Sequence, residues 1–311
     1  MAFAASVLAL ALLLTLDSDA LKFGGGRAGA SATAGISNGK SRENGPTNPP
    51  AILPAAEETK STWIEGENNL SQGFIWIEPG TFVMGSPRTE PDRDNIEGPQ
   101  TRVTISRGYW MAIHEVTQRE FFRVMHQNPS RFKGDLLPVE QVSWFVATNY
   151  CAKLTIQERA AGRLLSDYSY RLPTEAEWEF ACRAGTRTRF SHGDDPGYAN
   201  LGKYAWVRSN SGNQTHPVGQ KLPNPWGLQD MYGNVFEWCS TWYAPYPGGS
   251  VTDPTGPSSG LNRAMRGGSW LYFGGDCRSA ARGNFDPSDG LDDFFGLRVV
   301  VGRTPSQPSG H

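Results

Sequence analysis

The chain reads as an α+β domain with unusually little regular structure, and three observations carry that expectation. Glycine and proline are abundant, at 36 and 22 of 311 residues, which marks a chain broken by many tight turns. Ten tryptophans supply large buried areas where long helices and strands are missing. Helical periodicity is concentrated before Gly185, and the long remainder carries almost none.

The elements follow in order. Phe74-Ile75-Trp76-Ile77, the breaker Glu78-Pro79-Gly80, and Thr81-Phe82-Val83-Met84 read as strand, turn, strand. Thr117 and Glu120 form a capping box that opens a helix, and Asn128-Pro129 stops it. Ser143 caps a second helix whose apolar positions run through Val146, Tyr150 and Leu154. The third helix opens at Thr174, with Glu177 reaching back to the cap, and Gly185 suits the left-handed position at its exit. Beyond it come short strands and loops, which need something besides a core to hold them.

The flanks are of another kind. An apolar run from Ala2 to Leu16 precedes Asp17-Ser18-Asp19-Ala20, so residues 1–20 read as a secretory signal peptide with small residues at the cleavage positions. The run is short for a membrane span. No Lys or Arg precedes it, and the alternative is an uncleaved N-terminal anchor. The expected location is therefore secreted or periplasmic, where disulfides are permitted. Residues 21–62, rich in Gly, Ala, Ser and Pro, cannot bury enough apolar surface to order themselves and read as a disordered tether. The folded domain spans 63–303, and 304–311 is a polar tail. No internal repeat is present.

Composition also excludes classes. The formal net charge is -2 and Lys and Arg are scattered, which argues against a nucleic-acid partner. Cys151, Cys182, Cys239 and Cys277 are far apart with no CxxC, which is no zinc pattern. His114-Glu115 lacks the second histidine of a zinc-protease motif. Asp286, Asp289, Asp292 and Asp293 lack EF-hand spacing and read as a solvated acidic loop. Trp178, Trp226, Trp238 and Trp270 read as core, Arg266, Arg278 and Arg298 as members of interior ion pairs, and His192 and His216 as isolated surface or loop residues.

The segments GTFVMGS, HEVTQREF, PVEQVSW, RLPTEAEWEFACRAGT, NSGNQTHPVG, NPWGLQDMYGNVFEWCSTWY, DPTGP, RAMRGGSW, CRSAAR and FFGLRVV stand in this order. Together they resemble the formylglycine-generating (sulfatase-modifying factor) family over most of the folded region. The resemblance implies a compact, loop-rich formylglycine-generating-enzyme fold with a topology related to C-type lectins.

It also implies metal sites. Asp230, Gly233, Asn234 and Glu237 crowd oxygen donors into one loop, and calcium takes six to eight such oxygens, carbonyls included. The family's calcium site maps to the side chains of Asp230 and Glu237 and the carbonyls of Gly233 and Val235. A second family site maps to Asn200, Leu201, Asn210 and Gly212. Active members also hold Cu(I) between two cysteines, because soft thiolates select that ion. Counting from Ser269 of the Gly-Gly-Ser motif, those positions are Tyr272 and Cys277. The first thiol is absent, and a phenol, protonated near neutral pH, is a hard replacement. Copper is therefore not expected, and Cys277 is the one catalytic candidate left. Cys151 and Cys182 match positions bridged in some secreted members, with Ser279 and Val299 at the partner positions here. A Cys182–Cys277 bridge stays open.

Two functions follow. In the first, the chain is a calcium-stabilised, non-oxidase binding or accessory module that holds a protein or peptide partner, sulfatase-like or otherwise, in a groove beside Ser269, Trp270 and Tyr272. In the second, it is an active formylglycine-generating oxidase or a related protein-modifying enzyme. The missing thiol favours the first.

Overall fold

The computed structural model describes residues 73–303. The signal peptide, tether and tail expected at 1–20, 21–62 and 304–311 lie outside the described residues. Within that range the strands are β1 (Phe74–Ile77), β2 (Gly80–Met84), β3 (Thr101–Ile105), β4 (Tyr109–Ala112), β5 (Tyr168–Arg171), β6 (Phe236–Trp242), β7 (Ser250–Thr252), β8 (Arg263–Arg266), β9 (Gly283–Phe285), β10 (Phe295–Gly296) and β11 (Val300–Arg303). The helices are α1 (Gln118–Met125), α2 (Trp144–Ala160) and α3 (Glu175–Arg183). No element exceeds seventeen residues, and the expected α+β character with sparse regular structure holds. Among the described residues no helix is long and apolar enough to cross a membrane.

Each helix starts where its cap dictates. Thr117 Oγ1 accepts from the Glu120 amide at 3.3 Å while the Glu120 carboxylate accepts from the Thr117 amide at 2.9 Å. The same reciprocal pair joins Thr174 and Glu177, at 3.1 and 2.8 Å, and the Ser143 hydroxyl accepts from the Val146 amide. The exit of α3 differs from expectation. Ala184 takes the left-handed conformation first, at φ 47°, and Gly185 follows at φ 86°. Ala184 is held there by its amide, which donates to the Phe180 carbonyl at 3.2 Å, and by burial.

The first two strands also part company. β1 pairs with β4 and β2 with β3, both antiparallel. The Glu78-Pro79 break is thus a corner between two sheets and closes no hairpin. Three sheets result among the described residues, in the orders β1-β4-β11-β5, β10-β6-β8-β9 and β2-β3-β7.

Side-chain alternation along the central strands divides the interior in two. Trp110 and Ala112 of β4 and Val301 of β11 enter one apolar cluster, with Phe121, Tyr150, Trp238 and Phe295. Tyr109 and Met111 of β4 and Val300 of β11 enter the other, with Trp178, Phe190, Tyr232 and Cys277. Trp178 and Trp238 are fully buried and Trp270 nearly so, as expected of core residues. Trp226 is half-buried, edge-on to Phe180.

Charged pairs stitch the loops to these cores. Arg278 reaches Glu97 and Glu90 at 2.5 Å, Arg282 reaches Glu175 at 2.6 Å, and Arg266 pairs with Glu179, all with side chains at most 4% exposed. Removing one member of such a pair leaves an uncompensated charge in the interior, so each pair specifies which loops must meet. His192 departs from expectation. Its side chain is 6% exposed, stacked against Tyr204 and Phe190, and sits 3.4 Å from Asp195. His216 is half-buried and stacks on Trp206 at 3.7 Å.

Candidate functional site

The loop from Asp230 to Glu237 and the one from Ser269 to Cys277 carry most of the expected site residues, and the backbone sews them together. The Gly233 amide donates to the Gly267 carbonyl at 2.7 Å, and the Trp270 amide donates to Asn234 at 2.9 Å. Gly267 and Gly268 both have positive φ. At Gly268 a Cβ would lie 2.3 Å from Cys277 Sγ, so only glycine lets the thiol pack there.

The outcome for the presumed groove is mixed. Ser269 is fully buried, with its hydroxyl accepting from the Leu271 amide. Trp270 is 5% exposed, donates its indole N–H to the Asp293 carbonyl at 3.0 Å, and meets Phe132 edge-on. Both follow the left-handed Gly267-Gly268 turn and are buried. Tyr272 alone of the three is partly exposed. Its ring packs edge-on against Phe236 and Phe294, at 5.0 and 5.9 Å. Burial, followed by the charges of Asp276 and Asp292, pushes its hydroxyl up to about 12, so the phenol keeps its proton at neutral pH. Phe273 beside it is 63% exposed, under the Arg208 guanidinium.

Cys277 lies in a 3-10 turn and is wholly buried. Burial raises its thiol, Asp276 adds to this, and the amides of Ser269 and Gly233 oppose it only in part. A reactive cysteine needs the reverse, an accessible and electropositive setting. All four cysteines are free and buried. Cys182 sits beside the hydroxyls of Ser279 and Tyr232.

The metal loop is built on left-handed residues: Asp230 at φ 55°, Gly233 at 74° and Asn234 at 54°. At Gly233 a Cβ would strike the Trp206 carbonyl at 2.0 Å. Asp230 is 2% exposed. Its Oδ2 accepts from the Gly219 amide at 2.6 Å, while Oδ1 is buried without a hydrogen-bond partner among the described residues. Burial raises its carboxyl to about 6. Glu115, also fully buried, is raised by burial and then by the Asp230 charge. Arg298 lies near both Asp230 and Glu237, with Lys221 near Asp230. The open, buried Oδ1 of Asp230 suits a hard cation.

Glu237 behaves otherwise than expected of a ligand. Its oxygens accept from Arg298 at 2.8–3.0 Å and from the Trp178 indole at 2.6 Å. Of the two expected side-chain donors only Asp230 has an oxygen open. Gly233 and Val235 are buried in the same loop. The second set fits less well. Asn200 Oδ1 accepts from the Lys203 ammonium at 2.9 Å and Asn210 Oδ1 from the Val207 amide at 2.8 Å. Leu201 is buried, and Gly212 is an exposed turn residue. The side-chain oxygens of this set close turns. Among the described residues no three His, Cys, Asp or Glu side chains form a metal-ligating cluster, so an ion here would rest largely on carbonyls. Glu115 was missed by sequence reasoning, since a lone carboxylate beside a histidine carries no signal of burial against Asp230.

With this geometry in view, the sulfatase-modifying factor enzyme 1-like domain matches residues 60–303. The chain belongs to that family. The family match starts three residues before the boundary expected at 63 and shares its end. A chaperone protein LppX of Paenibacillus barcinonensis is 31% identical over 80% of this chain and 96% of its own length. The formylglycine-generating enzyme of Mus musculus is 35% identical over 75% of this chain and 76% of its own. Among solved structures, Treponema denticola variable protein 1 superposes with a TM-score of 0.66 at 32% identity, over 75% of this chain and 95% of that one. Members of the family therefore share this chain's loop-rich fold, and its ion-paired arginines and paired glycines sit in the motifs that carried the resemblance.

Proposed function

We propose that the domain is an exported, non-oxidase binding or accessory module of the sulfatase-modifying factor family, which holds a protein or peptide partner at the surface around Tyr272. One observation carries this reading. Where active members are expected to place the first copper thiolate, this chain has a protonated phenol packed on Phe236 and Phe294, and the remaining thiol, Cys277, is buried and raised. A lone buried thiol beside a hard oxygen is a poor Cu(I) site. The exposed Phe273 next to Tyr272 offers apolar contact area for a partner. The name of the Paenibacillus relative, a chaperone protein that this chain spans almost end to end, fits a module that handles another protein.

Calcium belongs to the same reading, as a structural ion. Asp230 would hold it through the open Oδ1, with the carbonyls of Gly233 and Val235 as further donors, and its chemistry would be to neutralise the Asp230 carboxylate. The likeness to the mouse enzyme favours the other reading, an active formylglycine-generating oxidase acting on sulfatase-type substrates. Incubating copper-loaded protein with a Cys-x-Pro-x-Arg peptide, followed by mass spectrometry for the aldehyde, separates the two. Aldehyde formation by the folded chain would overturn the non-oxidase reading.

A further inference from the structure

A concavity lies between the β2-β3-β7 sheet and the loop that leaves β6, with a volume of about 470 Å³. It is lined by residues of β3, β7, the start of α3, the segment 241–257 and Arg282, and by none of the residues from Ser269 to Cys277 or from Asp230 to Glu237.

The polar groups of its wall are already engaged with one another. Both Glu175 oxygens accept from Arg282, Nε at 2.6 Å and Nη2 at 2.7 Å. Arg282 Nη1 donates to the Ile96 carbonyl at 2.8 Å, and its guanidinium lies 3.9 Å from the Tyr246 ring centre. Thr241 Oγ1 accepts from the Glu175 amide at 3.0 Å, and Thr101 Oγ1 from the Gly248 amide at 3.0 Å. Asp253 accepts from the Ser106 amide at 2.7 Å and from its hydroxyl. Arg282 is already paired with Glu175, so an anion entering here would lose its hydration and find no free cation among these groups, while the Asp253 carboxylate is exposed and keeps its hydration without a ligand.

What remains is apolar: Met84, Val103, Ala176, Trp242, Tyr246 and Val251. Pro245, Pro247, Pro254 and Pro257 also line it. Their fixed φ angles restrict the backbone around the concavity, which lowers the ordering cost of binding. Its volume falls in the range of small-molecule sites.

We propose that this cavity binds an uncharged apolar small molecule, one with a ring system or short hydrocarbon body and no ionised group. The proposal is independent of what happens at Tyr272. The test is a fluorescence titration of the full chain with N-phenyl-1-naphthylamine, alongside Val251→Trp and Thr255→Trp, two separate ways of filling the space. Saturable binding of one probe per chain is expected, weakened at least about tenfold in both variants because an indole takes up the room. Leu291→Ser, which alters an exposed apolar side chain that does not line the cavity, should leave binding unchanged. Maltose, a polar molecule of comparable bulk, should not compete. The inference is overturned by absence of saturable binding, by competition from maltose, by loss of binding in Leu291→Ser, or by undiminished binding in either cavity variant that still unfolds cooperatively.

Discussion

Arg298 grips Glu237 through Nε, 3.0 Å from both carboxylate oxygens, and Nη2, 2.8 Å from Oε1, with both side chains sealed from solvent. The same guanidinium donates to the carbonyls of Ala112 and Gln229, so one ion pair ties β6 to β4 and to the loop before Asp230. Glu237→Ala should destabilise the domain by about 3–5 kcal/mol, because it strands a buried cation. The paired change Glu237→Met with Arg298→Met should cost less than Glu237→Ala alone. Urea unfolding of the variants checks both.

Calcium should raise the melting temperature of purified protein, and a chelator should lower it. Asp230→Ala should abolish that response, since Asp230 Oδ1 is the open side-chain donor of its loop. A calcium shift undiminished in Asp230→Ala would remove the ion from this position.

Tyr272→Cys should confer cuprous-ion binding that the unaltered protein lacks, because a second soft donor would join Cys277 in the motif. Titration against a Cu(I)-selective competitor reads the difference. Stoichiometric Cu(I) on the unaltered chain would contradict the non-oxidase reading directly.

Arg263 is clamped between two indoles, its guanidinium carbon 3.4 Å from the Trp242 ring centre and 3.8 Å from that of Trp144. Burial alone lowers it to about 10, so the rings stand in for a counter-ion. Arg263→Ala should cost about 1–2 kcal/mol, and Arg263→Lys should recover only part of this, since an ammonium cannot stack flat on both rings. Thermal unfolding measures the series.

Glu140 is fully buried, with Oε1 accepting from the Phe132 amide at 2.8 Å and Oε2 lacking a hydrogen-bond partner among the described residues. Burial raises it to about 7, and Asp293 adds to this. A carboxyl raised on folding binds its proton more tightly in the native state. Stability from this group is therefore greatest below its unfolded value near 4 and falls as pH rises toward 7. Glu140→Gln should flatten that part of the stability profile between about pH 4 and 7, as followed by urea midpoints.

Local chemistry was legible without coordinates. The capping pairs Thr117–Glu120 and Thr174–Glu177 and the Ser143 cap announce their helices because each involves groups three residues apart. The core tryptophans and the interior arginines were likewise readable, although not which glutamates they meet. Glu97 lies 181 residues from Arg278, and Glu175 lies 107 from Arg282. Nothing short-range encodes those distances.

By itself, then, the sequence determined the sparse α+β character, the helix starts, the family motifs and the missing thiol at Tyr272. These follow from side-chain identity and from spacings of a few residues. Only the tertiary structure decided that β1 and β2 join different sheets, that Ser269 and Trp270 turn inward, that His192 is buried, and that Glu237 answers Arg298. Each of these depends on what a distant segment brings alongside, and burial converts that neighbour into a charge partner, a proton affinity or a wall.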